Sequence, residues 1–141
     1  MATASPLIGK KIVVQEPNCI TAILLDRAIT KAGCMLLYVS KDSLETAEIV
    51  RHVRPDLVLV DLDQSEAEGN CSSALPAAES PACLVVITAE PGDCAQERAR
   101  SLGASGYLCK PFSVESVVPT LERAMLVCRN SALRGHRRYN A

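Results

Sequence analysis

The sequence predicts an α/β domain built on one doubly wound, five-stranded parallel sheet. Three observations carry that expectation. Short runs of β-branched and aliphatic residues recur along the chain, with segments of helical period between them, the alternation that builds parallel sheets. The run Leu57 to Val60 is apolar without a break and ends at Asp61, as a strand buried on both faces would. The length of 141 residues fits a single domain, one able to bury roughly 68–70% of its unfolded surface.

Residues 1–10 read as a short flexible lead and residues 11–128 as the folded domain. Ile12 to Val14 are β-branched and form the first strand. Ile20 to Lys31 carry apolar residues at helical spacing (Ile20, Ile23, Leu24, Ala28), and Gly33 stops the helix. Met35 to Val39 form the second strand. Ser43 is the expected N-cap of a helix over Leu44 to Val53, which Pro55 ends. Leu57 to Val60 are the third strand.

Ser72, Ser73 and Pro76 make the helix expected over 70–80 short or bent. Cys83 to Thr88 form the fourth strand, Asp93 to Leu102 a helix stopped by Gly103, and Gly106 to Cys109 a short fifth strand. Ser113 caps a last helix that runs to about Cys128 and carries Pro119 inside it, where a kink is expected. Residues 129–141 hold Arg129, Arg134, Arg137 and Arg138 without an acid and read as a solvated basic tail. Right-handed crossovers then favour the flavodoxin-like strand order 2-1-3-4-5.

Composition excludes several classes. Fifteen basic and sixteen acidic residues leave a net charge of −1, so no global field draws nucleic acid or membrane. One Phe, three Tyr and no Trp argue against a base-stacking platform. Seven cysteines without CxxC spacing argue against a disulfide framework or a zinc site and read as small apolar residues of a cytoplasmic protein. No stretch reaches the ~18 apolar residues of a membrane span. His52 and His136 stand isolated and receive no catalytic role.

In open α/β sheets, ligands bind at the carboxyl ends of the strands. Four side chains fall there: Glu16 after the first strand, Asp61 at the third, Thr88 at the fourth and Lys110 at the fifth. An acid, a nucleophilic carboxylate, a hydroxyl and a cation suit phosphoryl transfer to a carboxylate. Asp61 would attack phosphorus, Lys110 and Thr88 would hold phosphoryl oxygens, and magnesium would neutralise the remaining charge.

The segments Arg54 to Asp63, Val85 to Glu90 and Leu102 to Phe112 resemble the receiver domain of two-component response regulators, over about Lys11 to Val127. The resemblance implies that Asp61 is the phospho-acceptor, Thr88 the switch hydroxyl, Tyr107 the switch aromatic and Lys110 the phosphate-binding lysine. It implies a cis Lys110–Pro111 bond, a metal ligand in the backbone carbonyl of Asp63, and a loop-ending glycine in Gly69. It also implies a histidine kinase or phosphotransfer partner upstream. Downstream it implies a protein partner, or a second copy, on the face made by the fourth helix, fifth strand and last helix. No output domain is recognisable after residue 128, so protein contact is the expected output, unless an effector has been cut away.

Departures from the family stand at two places. The usual adjacent acid pair is reduced to Glu16, flanked by Gln15 and Pro17; the register is Gln15-Glu16 or Glu16-Pro17. Gln64-Ser65 replace the usual Met-Pro. The magnesium site is therefore expected to be weakened, and the Asp63 carboxylate is a candidate to compensate. A phosphorylation-independent pseudo-receiver is the alternative reading. A haloacid-dehalogenase-type phosphatase shares the Asp-x-Asp, Thr and Lys, but it needs an acid pair after the lysine, and only Glu115 and Glu122 follow here. The expectation is a signalling module, not an enzyme.

Overall fold

The computed structural model describes residues 5–63 and 82–139, with side chains described as far as Cys128. In chain order the elements are β1 (Lys11–Gln15), α1 (Cys19–Lys31), β2 (Met35–Ser40), α2 (Ser43–Val53), β3 (Leu57–Asp61), β4 (Cys83–Thr88), α3 (Gly92–Ser101), β5 (Gly106–Cys109) and α4 (Val114–Tyr139). The helix expected over 70–80, with Gly69, Gln64-Ser65 and Cys71, lies outside the described residues. The fourth and last helices of the sequence reading are therefore α3 and α4.

All strand pairs are parallel, in the order β2-β1-β3-β4-β5. The two-residue period of a strand sends alternate side chains to opposite faces. Ile12, Val14, Leu57, Leu59, Val85 and Ile87 join α1 and α4 in one core cluster. Val13, Val58, Val60, Leu84 and Val86 form the other, against α2 and α3. That two-sided burial is why β3 and β4 read as unbroken apolar runs. Each fully buried Val, Leu or Ile stabilises the fold by about 1.5–3 kcal/mol.

Helix ends follow local chemistry. Asn18 caps α1 by accepting from the Thr21 N–H, and Gly33 leaves the helix at φ 85°, a backbone that residues with a Cβ rarely adopt. The apolar face of α1 matches the expected one in part. Ala28 is buried and Leu24 packs against the core as expected, with Leu25 and Ile29 buried beside them, whereas Ile20 and Ile23 are 77% and 61% exposed. The cap of α2 is Asp42, which accepts from the Glu45 N–H, and Ser43 is the first helical residue. A carboxylate at that position satisfies the orphan amide and also favours the helix dipole. Ser113 and Ser116 exchange side-chain-to-backbone bonds at the start of α4, and the helix continues through Pro119.

Three expectations are corrected. The first concerns the lead. Leu7 is fully buried in the α1–α4 core, the Gly9 N–H donates to the Gly33 carbonyl, and the Ser5 hydroxyl donates to Glu122 at 2.6 Å. One buried leucine with two polar ties outweighs the local preference of residues 5–10 for a loose coil. Second, α4 does not end near Cys128 but extends to Tyr139, so most of the expected tail is helical backbone; an Arg-rich segment is compatible with helix once a nucleated helix precedes it. Third, Cys83 and Cys128 form a disulfide, with Cα atoms 5.8 Å apart. Sequence spacing could not reveal it, because β4 and α4 are brought together only by the fold. Cys19, Cys34, Cys94 and Cys109 remain thiols.

The bridge closes a loop of 45 residues, which in a chain-entropy account stabilises the domain by about 2–4 kcal/mol. Cys128→Ser is expected to lower the urea-unfolding free energy of the oxidised protein by that amount and to abolish its sensitivity to dithiothreitol. An unchanged denaturation midpoint would show that the bridge does not form.

Candidate functional site

The carboxyl ends of β1, β3, β4 and β5 bring the predicted residues together. β3 pairs with β4 so that Asp61 lies beside Ile87, which places Thr88 one residue further along the same edge. The Lys110 N–H donates to the Thr88 carbonyl at 2.8 Å, fixing the start of the loop after β5. The Lys110–Pro111 peptide is cis, as the resemblance implied. Gly106 sits so close to α4 that a Cβ there would lie 3.2 Å from the Ala124 Cβ, a contact that α4 would have to relieve by a few tenths of an ångström.

Asp61 is fully buried. Its Oδ2 accepts from Lys110 Nζ at 2.6 Å, and its Oδ1 accepts from the Asp63 N–H at 2.9 Å. Thr88 is buried too. Its hydroxyl donates to Asp63 Oδ1 at 3.1 Å and accepts from the Glu90 N–H at 3.1 Å. Asp63 Oδ2 accepts from the Ala89 N–H at 3.0 Å and lies 3.4 Å from Lys110 Nζ. The Asp63 carboxylate thus spends both oxygens on Thr88, Ala89 and Lys110.

In the register of β1, Gln15 pairs with Val60, and Glu16 follows it at the sheet edge in hydrogen-bond reach of Asp61. Gln15 is buried and its amide donates to the Ser43 hydroxyl at 3.3 Å, toward α2. Ser40, hydrogen-bonded to Thr46, extends this polar cluster. Glu16 is buried; Oε2 accepts from the Asn18 N–H at 3.2 Å, and Oε1 finds no donor among the described residues.

Three neighbouring carboxyl groups and one lysine set the electrostatics. Burial raises the pKa of Glu16, a hydrogen bond and charge from Asp61 raise it further, and the Asn18 N–H and Lys110 oppose; the result is about 8. Glu16 therefore holds a proton at neutral pH, and that proton lets the two acids lie together. Burial pulls the Lys110 ammonium down, but the bond to Asp61 and the charges of Asp61, Glu16 and Asp63 outweigh it and hold its pKa above the usual lysine value.

Tyr107 is half-buried, packed against the β3–β4 core cluster. It lines a groove of about 720 Å³ between α3, β5 and α4, together with Gln96, Arg100, Phe112, Thr120 and Arg123. The backbone amide of Ala89 was missed at the sequence level. Its signal was positional: it is the residue after the strand-end hydroxyl.

The raised pKa has a measurable consequence. The folded value, about 8, exceeds the ordinary 4.5, so the folded state binds this proton more tightly. Stability is then highest below pH ~4.5 for this group and falls as pH rises toward 8. In chelator-treated protein, Glu16→Gln is expected to raise unfolding free energy at pH 8 by about 1–3 kcal/mol and to flatten its decline above pH 5. An unchanged pH profile would place the Glu16 proton elsewhere.

No family model matches the sequence. Among curated proteins, the transcriptional regulatory protein PdtaR of Mycobacterium tuberculosis is 29% identical over 122 residues, 86% of this chain; the chain spans 60% of the length of that relative. The chemotaxis protein CheY of Thermotoga maritima is 24% identical over 82% of this chain and 98% of its own length. Among solved structures, a response regulator from Thermotoga maritima superposes with a TM-score of 0.71 at 22% identity, over 84% of this chain and 98% of its own, a likeness of fold. Strand order, an acid–lysine–threonine edge and these relatives agree: the chain has the fold of response regulator receiver domains and is similar to them in sequence.

Proposed function

We propose that the domain accepts a phosphoryl group on Asp61 from a histidine kinase or phosphotransfer protein and signals through protein contacts in the cytoplasm. The observation that carries this reading is the 2.6 Å contact between Lys110 Nζ and a fully buried Asp61, beside a hydroxyl and an amide aimed at one neighbouring point. An Asp61 oxygen forms a bond to phosphorus as the bond from phosphorus to the donor's imidazole nitrogen breaks, and the donor leaves as neutral imidazole once protonated. Lys110 stays with the negative charge throughout and needs no proton transfer. Thr88 and Ala89 donate to the phosphoryl oxygens.

A magnesium ion fits part of this edge. Among the described residues no group of three or more His, Cys, Asp or Glu is arranged around a metal. Two buried acids, one with an oxygen lacking a donor, nevertheless form a hard-oxygen pair that a divalent cation suits better than a shared proton. Glu16, Asp61 and the backbone carbonyl of Asp63 would hold it. When bound, it would neutralise phosphoryl charge. With the Gln15 amide turned to Ser43, the site offers one carboxylate fewer than an acid pair would, and magnesium affinity is correspondingly reduced.

The output surface in this reading is the groove of α3, β5 and α4, which Tyr107 lines. The second reading, a phosphorylation-independent pseudo-receiver, is favoured by Gln15 and by the occupied donors around Asp63. Among the described residues no helix is long and apolar enough to cross a membrane.

Labelling with acetyl phosphate and magnesium separates the two. The Asp61 oxygen bonds to phosphorus while acetate departs. Wild type is expected to take up phosphate, Asp61→Asn none, and Lys110→Ala at least ~10-fold more slowly, the loss of a charge-assisted contact. No uptake by wild type at saturating magnesium would leave the pseudo-receiver. Lys110→Ala is also expected to cost about 3–5 kcal/mol of stability, because it strands a buried carboxylate; chemical denaturation at pH 7 measures it.

A further inference from the structure

Three donors from two strand ends converge on a single carboxylate that is not Asp61. The Thr88 hydroxyl reaches Asp63 Oδ1, the Ala89 N–H reaches Asp63 Oδ2, and Lys110 Nζ lies 3.4 Å from the same Oδ2. A hydroxyl, a backbone amide and an ammonium around two oxygens form an anion site. These are the groups that, on the proposed function, hold the oxygens of a phosphoryl group on Asp61. The Asp63 N–H meanwhile donates to Asp61 Oδ1, so the occupant is tethered two residues from the acceptor.

We propose that the Asp63 carboxylate is a built-in occupant of the phosphoryl-oxygen seat, a competitor that must leave before an external phosphoryl group or phosphate can enter. The regulatory part of this inference rests on the phospho-acceptor reading; the competition itself does not.

Two features make the occupant displaceable. The Asp63 side chain is 32% exposed, unlike the fully buried Asp61. It also lies two residues beyond β3, which ends at Asp61, so no sheet pairing holds it. Two consequences follow. Thr88 and Ala89 are held in an anion-bound arrangement before any phosphate arrives, so the conformational equilibrium starts biased toward the occupied form. The same contact lowers apparent affinity for the true ligand, since the competent seat is only fractionally open. The acid at this position thus works against phosphoryl entry instead of supplementing the acid pair.

The test is a titration of ¹⁵N-labelled full chain with inorganic phosphate in saturating magnesium, read at the Ala89 amide. Asp63→Ala and Asp63→Asn are expected to bind phosphate about 10-fold more tightly than wild type, a difference of about 1.4 kcal/mol. Without phosphate, the Ala89 amide of Asp63→Ala is expected to exchange with solvent faster. Asp63→Asn preserves side-chain shape and serves if the alanine variant folds poorly. Equal phosphate affinity in wild type and both variants, or no phosphate binding by any of them, overturns the proposal. Acetyl phosphate labelling runs alongside. Absence of label in every variant sinks Asp61 as acceptor, while the phosphate titration still decides the role of Asp63.

Discussion

A carboxylate with no exposed surface at the end of a central strand requires a cation, and Lys110 supplies it across the sheet edge at 2.6 Å. Desolvating both charges costs several kcal/mol, which close contact offsets only while both partners stay in place. The rest of the edge is arranged around that requirement. The bond from the Lys110 N–H to the Thr88 carbonyl ties the lysine's backbone to the end of β4. Parallel register between β3, β4 and β5 delivers Asp61, Thr88 and Lys110 to one rim. Glu16, buried against the same carboxyl group, keeps a proton because burial and the neighbouring Asp61 outweigh the opposing charge of Lys110.

The arrangement is asymmetric in charge. On one side of Asp61 stand Glu16 and a Gln15 whose amide serves α2. On the other, Asp63 collects the donors. A divalent cation and a phosphoryl group would enter from these two sides, and each finds something already there, a proton on one and a carboxylate on the other. On the proposed reading, activation of such a site would be an exchange of occupants rather than the filling of open positions, and a preset switch and a weak response to phosphate would be two faces of the same contact.

Much of the fold was legible because both strand faces are buried. The runs Leu57 to Val60 and Cys83 to Thr88 admit few alternatives to central parallel strands, and the strand-end positions of Asp61, Thr88 and Lys110 followed from them. What local pattern could not show was long-range. Leu7 looked like part of a loose lead because nothing near it in sequence reveals the α1–α4 cleft it fills. Cys83 and Cys128 are 45 residues apart, and no spacing rule connects them. Leu24 and Ala28 of the expected stripe on α1 do meet the core, but Ile20 and Ile23 do not, because helical period identifies an apolar stripe without saying which edge of it meets the sheet. Asp63 was legible as an acid near the site, but its choice between metal and phosphate sides depended on side-chain direction at the end of β3.

A crystal structure with beryllofluoride and magnesium tests the central claim most directly, because that adduct reports on acceptor, donors and occupant together. The account predicts beryllium bonded to an Asp61 oxygen, fluorines within hydrogen-bond reach of the Thr88 hydroxyl, the Ala89 N–H and Lys110 Nζ, and the Asp63 carboxylate swung out of that space. An adduct elsewhere, or one at Asp61 that leaves Asp63 on the same three donors, would contradict it.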